Sequence, residues 1–159
     1  MPKRTLLSAL VIAVLALAGT AYAGAPAHHG KPVHERTIRL VEATATPDPV
    51  FLDLGEPGPS AGDQVVFTDG LRFEDGTTAG ELSQVCTLTK PGPHPGAGTF
   101  ECIGSIALEN GTLTIAGPFS PGAAEQAQAV TGGTGAFRTA RGETTIRAED
   151  DRILVRLVD

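Results

Sequence analysis

Four consecutive stretches of this chain alternate apolar and polar residues with a period of two, and short turn signals separate them. They read as strands over Asp63–Glu74, Ala79–Lys90, Thr99–Glu109 and Thr112–Phe119. Asp75-Gly76, the Pro/Gly-rich run Lys90–Gly98 and Asn110-Gly111 are the signals between them. The registers of these hairpins can be set against one another. A two-residue turn at Asn110-Gly111 places Leu108 opposite Leu113 and Ile106 opposite Ile115. If Cys86 and Cys102 lie opposite each other, their strands pivot about His94, Leu88 meets Phe100 and Gln84 meets Gly104. A turn at Asp75-Gly76 then sets Asp69 against Leu82 and Phe67 against Gln84. All three registers put the same residues on one face: Val65, Phe67, Asp69, Leu71 and Phe73; Leu82, Gln84, Cys86 and Leu88; Phe100, Cys102, Gly104, Ile106 and Leu108; Leu113, Ile115, Gly117 and Phe119. The opposite face is mostly Thr, Ser, Glu, Gln, Arg and Ala, with Val66, Val85 and Ile103 as exceptions. A one-residue slip anywhere would turn a strand's apolar set outward, so their agreement points to one antiparallel meander with a shared interior.

The flanking segments extend this pattern. Arg36–Ala45 reads as a first strand, and Thr46–Gly62, with Pro47, Pro49, Pro57 and Pro59, as a long loop holding a short extended piece at Val50–Leu54. Ala127–Thr131 is a candidate strand, and Phe137–Ala140 a short strand or a turn. Glu143–Glu149 and Arg152–Val158 close the chain as a hairpin, with Ile153, Val155 and Leu157 alternating against Arg152 and Arg156. With 20 Gly and 12 Pro in 159 residues, long helices are disfavoured. An all-β sandwich or barrel over 36–159 is the expected fold class.

The N-terminus has the three parts of a secretory signal peptide: Lys3-Arg4, an apolar run from Leu6 to Ala18 broken only by Ser8, and Ala21-Tyr22-Ala23 before the cut. The run is too short for a comfortable span and no second one follows, so no membrane association is expected after cleavage. Residues 24–35 read as a flexible leader, and the expected location is secreted or extracytoplasmic. Cleavage after Ala23 removes two basic residues and no acidic ones, taking the formal net charge from −6 to −8. A chain so acidic has no electrostatic reason to seek nucleic acid. Two cysteines in an exported chain suggest a disulfide between Cys86 and Cys102. No metal is expected: His28, His29 and His34 lie in the leader without a cysteine or carboxylate cluster to complete a ligand set.

Asp69 is the odd residue on the apolar face. Desolvation there would raise its pKa and suit it to general acid or base work. Gln84 lies on the same face, placed to orient it or a ligand, and Glu42 follows Ile38 and Leu40 in the first strand. The densest motif is Thr131-Gly132-Gly133-Thr134-Gly135-Ala136-Phe137-Arg138-Thr139-Ala140-Arg141-Gly142. It lacks the Gly-Lys-Ser/Thr of a phosphate loop and the spacing of a dinucleotide fingerprint. Its glycines suit a tight, fold-stabilising turn, with Phe137 able to plug a core and Arg138 and Arg141 able to pair with carboxylates or an anionic group.

That Gly-Gly-Thr-Gly-x-Phe-Arg-x-Ala-Arg-Gly motif resembles the signature of the allene oxide cyclase and dirigent superfamily. Gly62-Asp63-x-x-Val66-Phe67-x-Asp69-Gly70-Leu71, with Gly80, is similar to its second-strand region. The resemblance covers about Gly62 to Val158. It implies an eight-stranded antiparallel β-barrel with an apolar lumen, commonly a homotrimer, with no metal or organic cofactor. Plant members cyclise an unsaturated fatty-acid epoxide or steer the coupling of phenoxy radicals made by a separate oxidase. Asp69 and Arg141 are the polar positions carried over as catalytic candidates. Phe67, Leu71, Gln84, Phe100, Ile106 and Ile115 are the candidates to face a ligand.

The expected function is thus a secreted barrel that holds a small hydrophobic or aromatic molecule and directs its cyclisation or coupling by confinement. The competing expectations are a non-catalytic carrier that works as lipocalins do and a structural envelope protein whose lumen is filled by its own side chains.

Overall fold

Alternation of side chains makes each of these segments half apolar, and a sheet built from them must hide that half. The computed structural model shows how. It describes residues 34–43, 48–94 and 97–158; the signal peptide, most of the leader and Asp159 lie outside the described residues. Nine strands run in chain order: β1 Glu35–Glu42, β2 Val50–Leu52, β3 Gln64–Phe73, β4 Thr78–Pro91, β5 Gly98–Leu108, β6 Gly111–Phe119, β7 Glu125–Gly133, β8 Arg141–Arg147 and β9 Arg152–Val158. Every strand from β3 to β9 pairs with its successor, and β1 pairs with both β9 and β3. This closes an eight-stranded antiparallel barrel, with β2 an extra piece on the edge of β3. Closure removes the exposed edges that an open sheet of this composition would present.

The central registers match the alternation in detail. Phe67 faces Gln84, Asp69 faces Leu82, Gln84 faces Gly104, Cys86 faces Cys102 and Leu88 faces Phe100. Cys86 and Cys102 form a disulfide, their Cα atoms 4.0 Å apart. One register differs. Leu108 pairs with Gly111 and Ile106 with Leu113, so the β5–β6 turn is Glu109-Asn110 rather than Asn110-Gly111. The offset is two residues, which preserves the inward face. Gly111 has φ +144° and a Cβ there would stand 2.3 Å from the Thr134 carbonyl oxygen, so this hairpin end is pressed against the glycine-rich segment. Phe73 also departs from expectation: at the end of β3 it is 40% exposed rather than inside.

The interior falls into two clusters. The larger one holds Leu40, Leu71, Leu82, Ile106, Leu113, Ile115, Val130, Phe137, Ile153, Val155 and Leu157. The smaller one is Cys86, Leu88, Phe100 and Cys102, with Val65, Phe67 and Phe119 against it. Between β4 and β7 the Nε2 of Gln84 donates to the Oε1 of Gln128 over 2.8 Å, and both side chains are buried. The two intervening strands contribute Gly104 and Gly117 here. A Cβ at Gly104 would lie 2.4 Å from the Gln84 Cγ, and one at Gly117 would lie 3.1 Å from the Gln128 Cα. The missing side chains make room for a polar bar across the lumen.

The glycine-rich motif closes one end. After β7 the chain makes a 3-10 turn at Gly135–Phe137 and drops Phe137, 5% exposed, into the larger cluster. Thr134 N donates to Thr112 O and Ala136 N to Asn110 O, at 2.7 and 2.9 Å, tying the plug to the β5–β6 turn. Gly133 packs so closely that a Cβ would meet the carbonyl oxygens of Thr112 and Phe137 at 2.5 and 2.6 Å. At the other end Asp63, fully buried, pins the loop before β3. Its carboxylate accepts from the backbone N–H groups of Leu54 and Ser60 and from the Ser60 hydroxyl. These donors hold its pKa below the usual aspartate value.

On the outside, Val66, Val85 and Ile103 stand side by side across β3, β4 and β5. Their row continues into Ala116 and Ala129, and Ile103 is 65% exposed.

Candidate functional site

The end of the barrel away from Phe137 is open. A cavity of about 450 Å³ descends from it, walled by Val65, Phe67, Phe100, Phe119 and Ile146, with the Cys86 half of the disulfide beneath and Gln84 from the polar bar at its floor. That size and mostly apolar lining suit a small organic molecule. Phe100 and Phe119 meet edge to face, their ring centroids 6.3 Å apart.

Three carboxyl groups line this apolar space: Glu42 near the end of β1, Asp69 in β3 and Asp151 in the β8–β9 turn. Asp69 points inward on the β3 row between Phe67 and Leu71 and is 8% exposed. Desolvation raises its pKa above the usual aspartate value. Glu42 is brought to it by barrel closure, since Glu42 pairs with Leu71 on the same face. Burial, the Asp69 charge and the Asp151 charge, in that order, push the Glu42 pKa up to about 7. A carboxyl group there titrates near neutral pH, so it can both give a proton and carry a charge.

The ladder is broken beside this pair. Glu42 opposite Leu71 is the last β1–β3 pair, and Val50 opposite Val66 the first β2–β3 pair reached beyond it. Between these two pairs the chain has seven residues on one side, 43–49, and four on the other, 67–70, so the two pairings do not share one register. Only Ala43 N to Gly70 O, at 2.7 Å, bridges the described part of that gap.

The rim sets Arg147 and Arg152 against several acids. Arg147, at the end of β8, lies 3.7–4.0 Å from carboxylate oxygens of Glu125, Glu149 and Asp150, and Asp150 also lies 3.4 Å from Arg152. These pairs are largely solvent-exposed, so they order the mouth more than they stabilise the fold.

Of the residues expected at the site, the structure brings Asp69, Phe67, Gln84 and Phe100 to the cavity. Gln84 spends its amide N–H on Gln128 rather than on Asp69. Leu71, Ile106 and Ile115 do face inward but lie in the larger packed cluster and do not line the cavity. Arg141 does not reach the interior: Gly142 and Thr144 take the inward positions of β8, which leaves Arg141 exposed, its Nη1 donating to Ala140 O. In a strand of period two, one position decides the face. Among the described residues, no cluster of three or more His, Cys, Asp or Glu is arranged to hold a metal ion. Glu42, Asp151 and Arg147 were not among the candidates. Glu42 carried a signal, as the next inward position after Ile38 and Leu40; Asp151 carried none, because a turn has no alternation to read, and Arg147 falls on the outward parity at the end of β8.

Comparison with known proteins agrees with this architecture. The allene oxide cyclase barrel-like domain model matches residues 40–157. Among solved structures, a pyocyanin demethylase is 25% identical, with a TM-score of 0.59 over 78% of this chain and 99% of that one. A pterocarpan synthase dirigent protein is 19% identical, with a TM-score of 0.55 over 79% and 87% of the two chains. An exo-specific intermolecular Diels–Alderase is 12% identical, with a TM-score of 0.57 over 79% and 99%. No curated protein matches by sequence. With a closed eight-stranded barrel and a family match over nearly the whole of it, this chain belongs to the allene oxide cyclase barrel-like family.

Proposed function

We propose that this protein is a secreted barrel that binds a small hydrophobic or aromatic molecule in its open half and directs its cyclisation or coupling by confinement. The observation that carries the proposal is the cavity: its aromatic residues line the walls rather than fill the centre, and Asp69 is on its surface. A lumen packed solid by Phe67, Phe100 and Phe119 would have favoured a structural envelope protein instead. Confinement acts by restricting a flexible substrate to one folded geometry, so the ordering entropy is lost on binding rather than at the barrier. Glu42 and Asp69 supply the acid–base chemistry: a protonated Glu42 donates to a substrate oxygen or nitrogen, and Asp69 takes or holds a proton beside it. The solved structures named as a dirigent protein and a Diels–Alderase share this barrel at the level of fold. Secretion is supported by the disulfide, which is typical of oxidising compartments, and by the N-terminal pattern read from the sequence. No helix among the described residues is long and apolar enough to cross a membrane.

Mass spectrometry of small molecules that co-purify with the exported protein is the direct test. A bound aromatic or polyene species is the expected result. Asp69→Asn then separates an enzyme from a carrier. A carrier shows no turnover to lose, whereas an acid-dependent cyclase loses most of its rate even at saturating substrate. A protein recovered empty, with no affinity for any apolar probe, would leave the structural reading in place.

A further inference from the structure

The lining of the open half is lopsided in charge as well as apolar. Its carboxyl groups come from three elements, Glu42 from β1, Asp69 from β3 and Asp151 from the β8–β9 turn, while its only lining cation among the described residues is Arg147. Arg147 is already met by carboxylates of Glu125, Glu149 and Asp150, and Arg152 by that of Asp150, so neither offers an uncompensated positive charge to a ligand. Asp69 adds an independent observation. It is more than nine-tenths buried, it lines the cavity, and among the described residues no donor bonds its carboxylate. A desolvated carboxylate gains from a cation that reaches it inside the cavity. Phe67, Phe100 and Phe119 also line the space, and an aromatic ring presented by its face attracts a cation.

Resting on the lumen-binding reading above, we infer that the ligand is an organic cation: a flat or compact hydrophobic body carrying one positive charge, as a protonated amine or an N-alkylated heteroaromatic ring does. The charge would lie between Asp69 and Glu42, with the ring system against Phe67, Phe100 and Phe119. A fatty acid is disfavoured by the same lining, since its carboxylate would enter beside three acids.

Three probes of nearly equal shape test this: N-methylquinolinium, neutral 1-methylnaphthalene and anionic 1-naphthoate, titrated into the full mature protein by ligand-observed NMR at low salt. The cation is expected to bind at least about tenfold tighter than the neutral probe, and the anion more weakly than either. Glu42→Gln and Asp69→Asn should each bring the cation several-fold closer to the neutral probe, while neutral affinity stays unchanged and reports an intact lumen. Glu101→Gln, an exposed acid on the outer face of β5, should change nothing. Equal binding of the cation and the neutral probe overturns the inference and leaves the lumen reading standing. So does a cation preference that survives both inner substitutions or falls with the outer one. Failure of all three probes to bind overturns both.

Discussion

The two ends of this barrel are built from the same alternating strands but treated in opposite ways. At one end a glycine-rich segment folds a 3-10 turn over the opening and seats Phe137 in the larger apolar cluster, with Arg36 stacked 5.0 Å from the centre of its ring. At the other end a loop pinned by Asp63, a disulfide and a ring of partly paired charges leave a cavity of about 450 Å³. The contrast explains where buried acids are tolerated. The plugged end holds apolar side chains in close contact, where a carboxyl group would have no solvation. The open end surrounds Glu42 and Asp69 with apolar walls beside an open cavity, so desolvation raises their pKa values there without close packing around them.

The largest effect that tests this contrast is at the plug. Phe137→Ala is expected to cost about 3–5 kcal/mol and, at roughly 3 °C for each kcal/mol in a chain of this size, to lower Tm by about 10 °C. Phe119→Ala, at the open end, removes a half-buried wall and should cost only about 1 kcal/mol. Similar losses at both positions, measured by thermal unfolding, would abolish the distinction between a packed end and an open one.

Next in size is the disulfide. Cys86→Ser or Cys102→Ser should each lose about 3 kcal/mol, and the double variant no more than either alone, because one bond is removed in every case. Two additive losses in denaturant unfolding would mean that the sulfurs act separately.

A smaller effect with a clear sign follows from Glu42. Its carboxyl group has an ordinary pKa of 4.5 and one of about 7 in the fold. The fold therefore favours the protonated form, and that contribution is whole below about pH 4.5 and is lost as pH rises through 7. Asp69, Asp151 and Arg147 are the charged groups that share the cavity lining with it. Glu42→Gln, neutral at every pH, should raise Tm relative to the parent at pH 8 and leave it nearly unchanged at pH 4.5. The same change in Tm at both pH values would mean that the fold does not favour the protonated form of Glu42.

The smallest expected change is at Arg141. It is exposed on the outer face, so Arg141→Ala should leave both probe binding and Tm close to the parent values. A loss of ligand affinity would bring Arg141 back to the site.

Local pattern carried far in this chain. The inward row from Val65 to Phe119, the facing cysteines and the pairing of Gln84 with Gly104 were all readable, because neighbouring strands in a meander are joined by short turns and period-two alternation sets their registers. The glycine-rich motif was readable as a turn that plugs the core with Phe137, since its glycines fit only tight backbone contact. The β5–β6 turn was misplaced by one residue, which shifts the pairing by two, and alternation is blind to an even shift. Arg141 was carried over by motif and not by face, and Gly142 beside it takes the inward place.

What the amino-acid order determined, then, was which side of each strand is greasy and which strands follow one another in the sheet. Tertiary structure alone decided that β1 closes the barrel between β9 and β3, and with that closure it set Glu42 beside Asp69 and carried the β8–β9 turn with Asp151 to the same mouth. The physical reason is separation along the chain. Hairpin partners are a few residues apart and their pairing shows in local periodicity, whereas the acids of the cavity come from positions 42, 69 and 151 and meet only after the last strand has paired with the first.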